Sequence, residues 1–464
     1  MTEVGADDGG DESITPILRE HADDNTLLYF PSGRYYMDEQ FRFTGFNNFG
    51  LAGDDAELVP ANYHDFDSGG DGNYRLFRLG VEYEPGTDLR VEGFTVDQTA
   101  DNTGIRVIEA AIDDGLLVRD IEVLGQHDSG TWGPARMVIT DSDGEGLVER
   151  FHAPDGAAWS SETPSDALWR GPTGIMCNDN NEGTMTFRDC VLGPFPDNGL
   201  YAANGNGSVQ IEGGRFQNST GTNVRLGGHD SYIKDATIIV DQENPHGIAQ
   251  RGLRMEKGNL LVAENVDFQT NVEESPAIWV THDANYNYIK NCTVTVRTDD
   301  PTTAVMIRGS AGHTRIENTE VKHDTGGGPA IKIKDGDDPV YLENVTITGE
   351  APTVGSRSAI QNNRDDCEFR AVNVNYSGGW GRRALTIAGD NCLVYEGDYV
   401  SEDHPLEISG NGTWIEGVSA RSRRDDVALL LTSDSEDTYV KKSDLDNGID
   451  DRSSDGYDGW GNDF

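Results

Sequence analysis

Lysine is scarce in this chain, with eight in 464 residues, at positions 234, 257, 290, 322, 332, 334, 441 and 442. Lys and Arg together reach 36 against 82 Asp and Glu, a formal net charge of -46. That balance excludes nucleic acid as a partner, because a phosphate backbone demands a basic surface. No apolar run approaches membrane-spanning length, which leaves a membrane role without a supporting segment. No secretory, twin-arginine or lipidation motif follows Met1, so the chain as written does not read as an export precursor. A cytoplasmic protein, or an extracellular or virion component in a mature or lysis-released form, fits equally. Five cysteines make no disulfide framework. Helical periodicity does not recur, which excludes helical repeats.

What recurs instead is a six-residue phrase with apolar ends, found fourteen times from VEGFTV at Val91 to VKKSDL at Val440. Between Ala263 and Tyr395 its spacing is 26 or 27 residues. A unit of this length that alternates in and out cannot bury its apolar face alone, so it must stack as one turn of a β-solenoid. The third position of the phrase is the physical test. Gly93, Asp120, Asp189, Gly213, Asp235, Asn265, Asn291, Asn318, Asn344, Gly397 and Gly417 fill it, and these residue types best tolerate the positive φ of a sharp corner. Arg150, Ala371 and Lys442 are the exceptions. The phrase therefore predicts strand, corner, strand, with Asn side chains free to bond up the stack.

A third strand precedes each phrase from the second onward and reads small, apolar, any, apolar. GIRV from Gly104, RMVI from Arg136, GIMC from Gly174, GLYA from Gly199, NVRL from Asn223, GLRM from Gly252 and AIWV from Ala277 begin the series, and ALLL from Ala428 ends it. Three short strands per coil predict an all-β fold: a single-stranded right-handed parallel β-helix of about 13–14 coils. A short amphipathic helix around SITPILREH from Ser13 caps its beginning. The expected organisation is a cap with the first strands over 1–60, the β-helix over 61–445, and an acidic, Gly-rich tail over 446–464. Cys190 and Cys292 share one phrase position four coils apart, beyond disulfide reach. Cys367 and Cys392 fall on neighbouring coils, either paired or as free buried thiols.

With its repeat, its capping helix and the strand YFPSGRY from Tyr29 to Tyr35, the chain resembles the pectate-lyase-like β-helix superfamily over most of its length. The resemblance implies a ligand groove along the third-strand row. It does not fix a reaction, since lyases, hydrolases, isomerases, tail spikes and adhesins share the fold. The motif set of polygalacturonase-like hydrolases is present only in fragments: Asn102-Thr103 leads to Gly104, Gly312-His313 to Thr314, and Ile331-Lys332-Ile333-Lys334 precedes Asp365-Asp366. The arginine-proline signature of classical pectate lyases is missing as well. Family catalytic residues therefore do not carry over.

The acid excess resembles that of proteins from extremely salt-loving microbes, where concentrated salt screens self-repulsion within ~3 Å. In such a chain carboxylates carry little information and cations carry much. On the third-strand row, the outward positions of five consecutive coils are Arg225, Gly227, Arg254, Glu256, Trp279, Thr281, Met306, Arg308, Lys332 and Lys334, of which half are basic. Arg is suited to bidentate contact with carboxylate or sulfate, and Tyr201 and Trp279 can stack on sugar faces. The alternative is that these cations pair with acidic side chains of adjacent rows. Trp132, Trp159 and Trp169 lie in insertions, the longest carrying PDGAAWSSETPSDALWRGP from Pro154, which could wall a groove or cover exposed core.

These residues support an acidic polysaccharide or surface glycan as partner. Tyr201, Arg225, His229, Trp279, His282, Arg308, Lys332 and Lys334 are the substrate-binding candidates. Asp230, Glu256, Asp283 and Arg254 are the catalytic candidates: carboxylates as acid and base in a glycoside hydrolase, or Arg254 as base or uronate neutraliser in a polysaccharide lyase. The His229-Asp230 and His282-Asp283 pairs could equally be hydrogen-bonded turns. A non-catalytic glycan-binding or structural β-helix of a surface or virion appendage is the alternative, with a homotrimer favouring it and a monomer favouring the enzyme. No metal site is expected. DSDGEG from Asp141 begins like a calcium loop but has His152 where the twelfth-position Glu belongs, so Ca2+ stays open.

Overall fold

The computed structural model describes residues 1–70, 73–164 and 168–464. Every pairing between its strands is parallel, apart from one isolated antiparallel bridge. The chain is a parallel β-helix of about 17 turns. It divides into two compact units, Met1–Thr237 and Ile238–Phe464. In the first unit, the helix Thr15–His21 opens with proline and buries Leu18.

Within the second unit the stacking is clearest. Ile289, Ile316, Leu342, Phe369, Val394, Ile415 and Val440 pair in register from coil to coil, each with 0% exposure. Each such side chain removed from water stabilises by about 1.5–3 kcal/mol. The first unit repeats the pattern with Leu51, Val91, Val118, Val148, Phe187 and Ile211.

The corner reading holds at all fourteen positions, including the exceptions. Arg150, Ala371 and Lys442 sit at φ of 51°, 48° and 51°, beside Asn291 at 56° and Asn344 at 54°. Position in the coil, and not side-chain preference, sets the conformation. Asn344 Nδ2 donates to Asn318 Oδ1 at 2.7 Å, one rung of the expected ladder. Because a left-handed alanine costs roughly 1 kcal/mol, Ala371→Asn is expected to raise the urea midpoint at unchanged slope. A lower midpoint would mean that the corner is selected for something other than backbone conformation.

The coil number exceeds the 13–14 expected because three turns lack the phrase. Thr26–Phe30 pairs with Asn47–Pro60, and that strand pairs with the first phrase across a register shift between Ala52 and Ala56. Tyr457–Trp460 pairs with Thr438–Lys441, and Ile449–Asp451 with Leu429–Leu431. Residues 446–464 thus carry two strands stacked on the preceding coil. Two third strands were also set in the wrong register. Ile175 pairs with Ala135, and Ala135 with Ile108. The outward residues there are Glu109 and Arg136, whereas GIRV would make Arg106 the outward residue. In the long insertion, Ala157 and Ala158 are buried and Trp169 is 80% exposed; Ser165, Asp166 and Ala167 lie outside the described residues.

All five cysteines are free and buried. The interior also holds two histidines. His323 Nε2 lies 2.7 Å from the Thr302 carbonyl, with Nδ1 against the Tyr376 hydroxyl. Burial pushes His323 down to about 4 and His127 to about 3, from an ordinary value of 6.5. Between those values and 6.5 the unfolded chain binds protons that the folded chain does not, so stability falls as pH drops through that window. A urea midpoint that declines from pH 7 to pH 4, with a shallower decline in His323→Gln, is the expected result. An identical decline in that variant would assign the acid sensitivity elsewhere.

Candidate functional site

The third-strand row positions the candidate residues, and each unit carries its own part. In the first unit Tyr201 pairs in register with Arg225, whose guanidinium lies 4.3 Å above the Tyr201 ring. His229 and Asp230 follow at an exposed corner, Asp230 at φ 52°. In the second unit Arg254, Trp279, Met306 and Lys332 succeed one another in register. All four are half-buried, as expected of outward residues packed coil on coil. Arg251 and Arg308 place their guanidiniums 4.5 and 5.4 Å from the Trp279 ring centre. Arg251 was not among the sequence candidates, since it precedes the strand; the signal was its being a cation in an acid-rich turn.

The second outward position behaves differently. Gly227, Glu256 and Thr281 are buried, while Arg308 is exposed and Lys334 half-exposed. Glu256, expected as a solvent-facing acid or base, has 0% exposure, ion-paired to Arg254 and with His282 Nε2 at 3.6 Å from its Oε2. The physical reason is crowding: two long side chains from its own and the next coil fold over it. Arg254 and His282 keep 26% and 41% of their side-chain surface and are the groups a ligand can touch.

Asp283, like Asp230, is an exposed corner residue, at φ 59°. Its carbonyl accepts from Gly258 N at 2.8 Å and that of His282 from Lys257 N at 3.0 Å, which locks the two turns together.

The cations of this row differ from those elsewhere. Lys234, Lys290, Lys322, Lys441 and Lys442 each have a glutamate within 3.3 Å. Among the described residues, Arg308, Lys332 and Lys334 form no ion pair. Burial, reinforced by the charge of Lys334, holds the Lys332 ammonium below the usual lysine range. The pairing alternative therefore describes Arg254, with Glu256, and fails for these three.

Other concave features lie off this row. The roomiest, of about 580 Å³, sits on the phrase strands of the first unit, lined by Leu117, Leu147, Thr186 and Arg188 among others. It is open because Gly115 and Gly146 carry no side chains. Arg188 there is bound to Glu212 at 2.9 Å, so the cavity offers no unpaired charge, and the row is the better candidate. Among the described residues, Asp403, His404 and Asp426 bring ligand atoms within 4.8 Å of one another. His404 Nδ1 faces Asp403 at 3.3 Å and Nε2 faces Glu407 at 3.2 Å, with Arg383 paired to Glu407, so the cluster is held as an ion-pair network. At the sequence DSDGEG, Asp141 Oδ1 accepts from Asp143 N at 3.0 Å, the bond of an ordinary turn.

No family model matches the chain, and no curated protein matches it. Several solved structures share the architecture at low similarity. PfbA, a surface adhesin of Streptococcus pneumoniae, aligns at 11% identity and TM-score 0.46 over 100% of this chain and 92% of its own. ORF18 of Geobacillus virus E2 aligns at 11% and 0.41, over 81% of this chain and 60% of that one. The mannuronan C-5 epimerase AlgE4 A-module of Azotobacter vinelandii aligns at 12% and 0.28, over 100% and 96%. At these scores none informs the chemistry of this chain, which has to be argued from its own residues.

Proposed function

We propose that the third-strand row of the second unit binds an acidic polysaccharide, with Trp279 as the stacking platform and Arg254, Arg308, Lys332 and Lys334 as carboxylate or sulfate contacts. The supporting observation is that three cations on one face stay unpaired in a chain of net charge -46. Aromatic stacking and direct charge-assisted bonds are the contacts that survive concentrated salt, where long-range steering is screened. We read the acid-rich surface as an adaptation to such salt. Midpoint temperature should rise steeply between dilute buffer and multimolar KCl, and a salt-independent midpoint would remove that part of the reading.

Of the catalytic schemes, uronate elimination fits the geometry better than hydrolysis. A hydrolase needs two carboxylates facing the sugar, and here one is buried while the others occupy corners. In elimination a base takes the C5 proton, the C4–O bond breaks, a C4–C5 double bond forms and the departing oxygen takes up a proton. Arg254 would neutralise the uronate and His282, oriented by Glu256, would serve as base. The exposed-corner conformation of Asp230 and Asp283 also suits the second reading, a glycan-binding rod without catalysis.

A panel of acidic polysaccharides in multimolar KCl separates these outcomes. Rising ultraviolet absorbance together with reducing ends supports a lyase and should vanish in His282→Ala. Reducing ends alone would point to hydrolysis. Binding with neither signal, and a trimeric native mass, would establish the non-catalytic reading. Trp279→Ala should weaken binding by about tenfold, the loss of a stacking contact of roughly 1–1.5 kcal/mol.

A further inference from the structure

The first unit holds a second concentration of positive charge, distinct from the row just described. On the third strands of four successive coils, Arg42 pairs in register with Arg78, Arg78 with Glu109, and Glu109 with Arg136. One register step away Arg75 pairs with Arg106. Glu109 is the shared counter-ion: Arg75 Nε lies 3.0 Å from Oε2, Arg78 Nε 3.6 Å from Oε1, and Arg106 Nη1 donates to it. Burial raises the Glu109 carboxyl, yet Arg106, Arg75, Arg78 and Arg136 outweigh it and hold it below the usual range. Burial also brings Arg106 down to about 10, with Glu109 opposing and Arg75 adding to the effect. Arg106 Nη2 is buried without a hydrogen-bond partner among the described residues.

A two-residue turn reaches across this row. Val81 and Glu84 bridge antiparallel, which puts Glu82 and Tyr83 at the tip. Gly80, at φ 71°, sets the departure angle, since a Cβ there would meet the Ala111 carbonyl at 2.1 Å. Glu82 Oε1 binds Arg136 Nη2 at 3.0 Å, and the Tyr83 hydroxyl accepts from Arg42 Nη2 at 2.9 Å. Glu84 turns to Thr44 instead, at 2.6 Å. Five guanidiniums thus face two carboxylates, Glu109 and Glu82, a local charge of +3. Glu109 is 14% exposed and cannot leave, whereas Glu82 is 49% exposed and on a loop.

We infer that Arg42, Arg78 and Arg136 form a binding site for an oxyanion, a carboxylate or sulfate, that Glu82 occupies as an internal surrogate and that the ligand enters by displacing it. Guanidiniums are the groups that receive such anions bidentately, and Tyr83, 78% exposed, offers a face for a sugar that carries the anion. The site does not depend on the glycan reading of the second unit.

The test is calorimetric titration of the full chain, at fixed ionic strength in chloride, with two probes: inorganic sulfate and a galacturonate trimer. Glu82→Gln removes the surrogate and should tighten binding by about tenfold. Arg42→Gln and Arg136→Gln, both at partly exposed positions and so compatible with folding, should each weaken it by about tenfold. Sulfate binding identifies a free oxyanion as ligand; binding of the trimer alone identifies an anion carried on a glycan. Affinity unchanged in all three variants, or no binding of either probe by Glu82→Gln, would overturn the inference. Loss of trimer binding confined to Lys332→Glu would locate the only site in the second unit.

Discussion

Replacing Arg364 by methionine is expected to destabilise the second unit by roughly 4 kcal/mol, the largest effect of any single substitution considered. Arg364 is fully buried, and its guanidinium serves no carboxylate. Nε donates to the Lys334 carbonyl at 3.0 Å, Nη1 to those of Ala311 and Asp338 at 3.1 and 2.8 Å, and Nη2 to that of Arg308 at 2.7 Å. Four carbonyls from the turns of two earlier coils converge on one planar fork. Methionine fills much of the volume but leaves the acceptors dry and unbonded, each at a cost of about 1–3 kcal/mol less whatever water recovers. Lysine should not rescue, because a single ammonium cannot span the fork. Urea unfolding reads the outcome, and a midpoint within experimental error of the parent would show that water satisfies those turns without the arginine.

The same side chain bears on binding. Two of the carbonyls that it holds belong to Arg308 and Lys334, so the coil ends that present these cations are fixed from inside. Arg382 repeats the device, donating to the carbonyls of Ser356 and Gly328 at 2.6 Å each and to that of Pro352 at 3.3 Å. In a chain so short of positive charge, two arginines are spent entirely on backbone.

Lys332→Glu combined with Lys334→Glu is the second large effect. Two charge-assisted contacts removed, at about 1.5 kcal/mol each or more, correspond to roughly 100-fold weaker binding of an acidic polysaccharide at constant salt. The stability of the pair should change little, since neither lysine is ion-paired in the protein and both are at least half-exposed. Lys332→Arg with Lys334→Arg should retain binding. Because Lys332 titrates below the usual lysine range, parental binding should also weaken as pH rises toward that range, before ordinary lysines lose their charge. The reading fails if the double glutamate variant binds like the parent.

Much of the fold was legible in the chain because the solenoid signal is local. Strand alternation has period two, so the interior set from Ile289 to Val440 could be named from spacing alone, and a corner every coil selected Gly, Asp or Asn. Where local signals weakened, the reading slipped. GIRV satisfied the small-apolar-any-apolar template at Gly104, while the strand that stacks begins three residues later. The register error made Arg106 outward and hid Glu109, and with it the arginine cluster. The turns outside the fourteen phrases were missed for a similar reason: the register shift near Ala52 interrupts the pattern, and the last coil is too polar to show it.

The candidate site divides along the same line. That Arg225, Arg254, Trp279, Met306 and Lys332 point outward follows from parity within each strand, and the sequence determined it. Which of them is paired is a different matter. Glu256 is outward by parity yet buried, because Arg254 and His282 close over it. Asp230 and Asp283, chosen as acids, share the left-handed corner conformation of residues with no chemistry to do. Lys332 and Lys334 remain unpaired although aspartates abound nearby in the chain. Alternation depends on adjacent residues along one strand, so spacing reveals it; ion pairing depends on side chains brought within 4 Å from coils some 26 residues apart, and only the tertiary structure decides those neighbours.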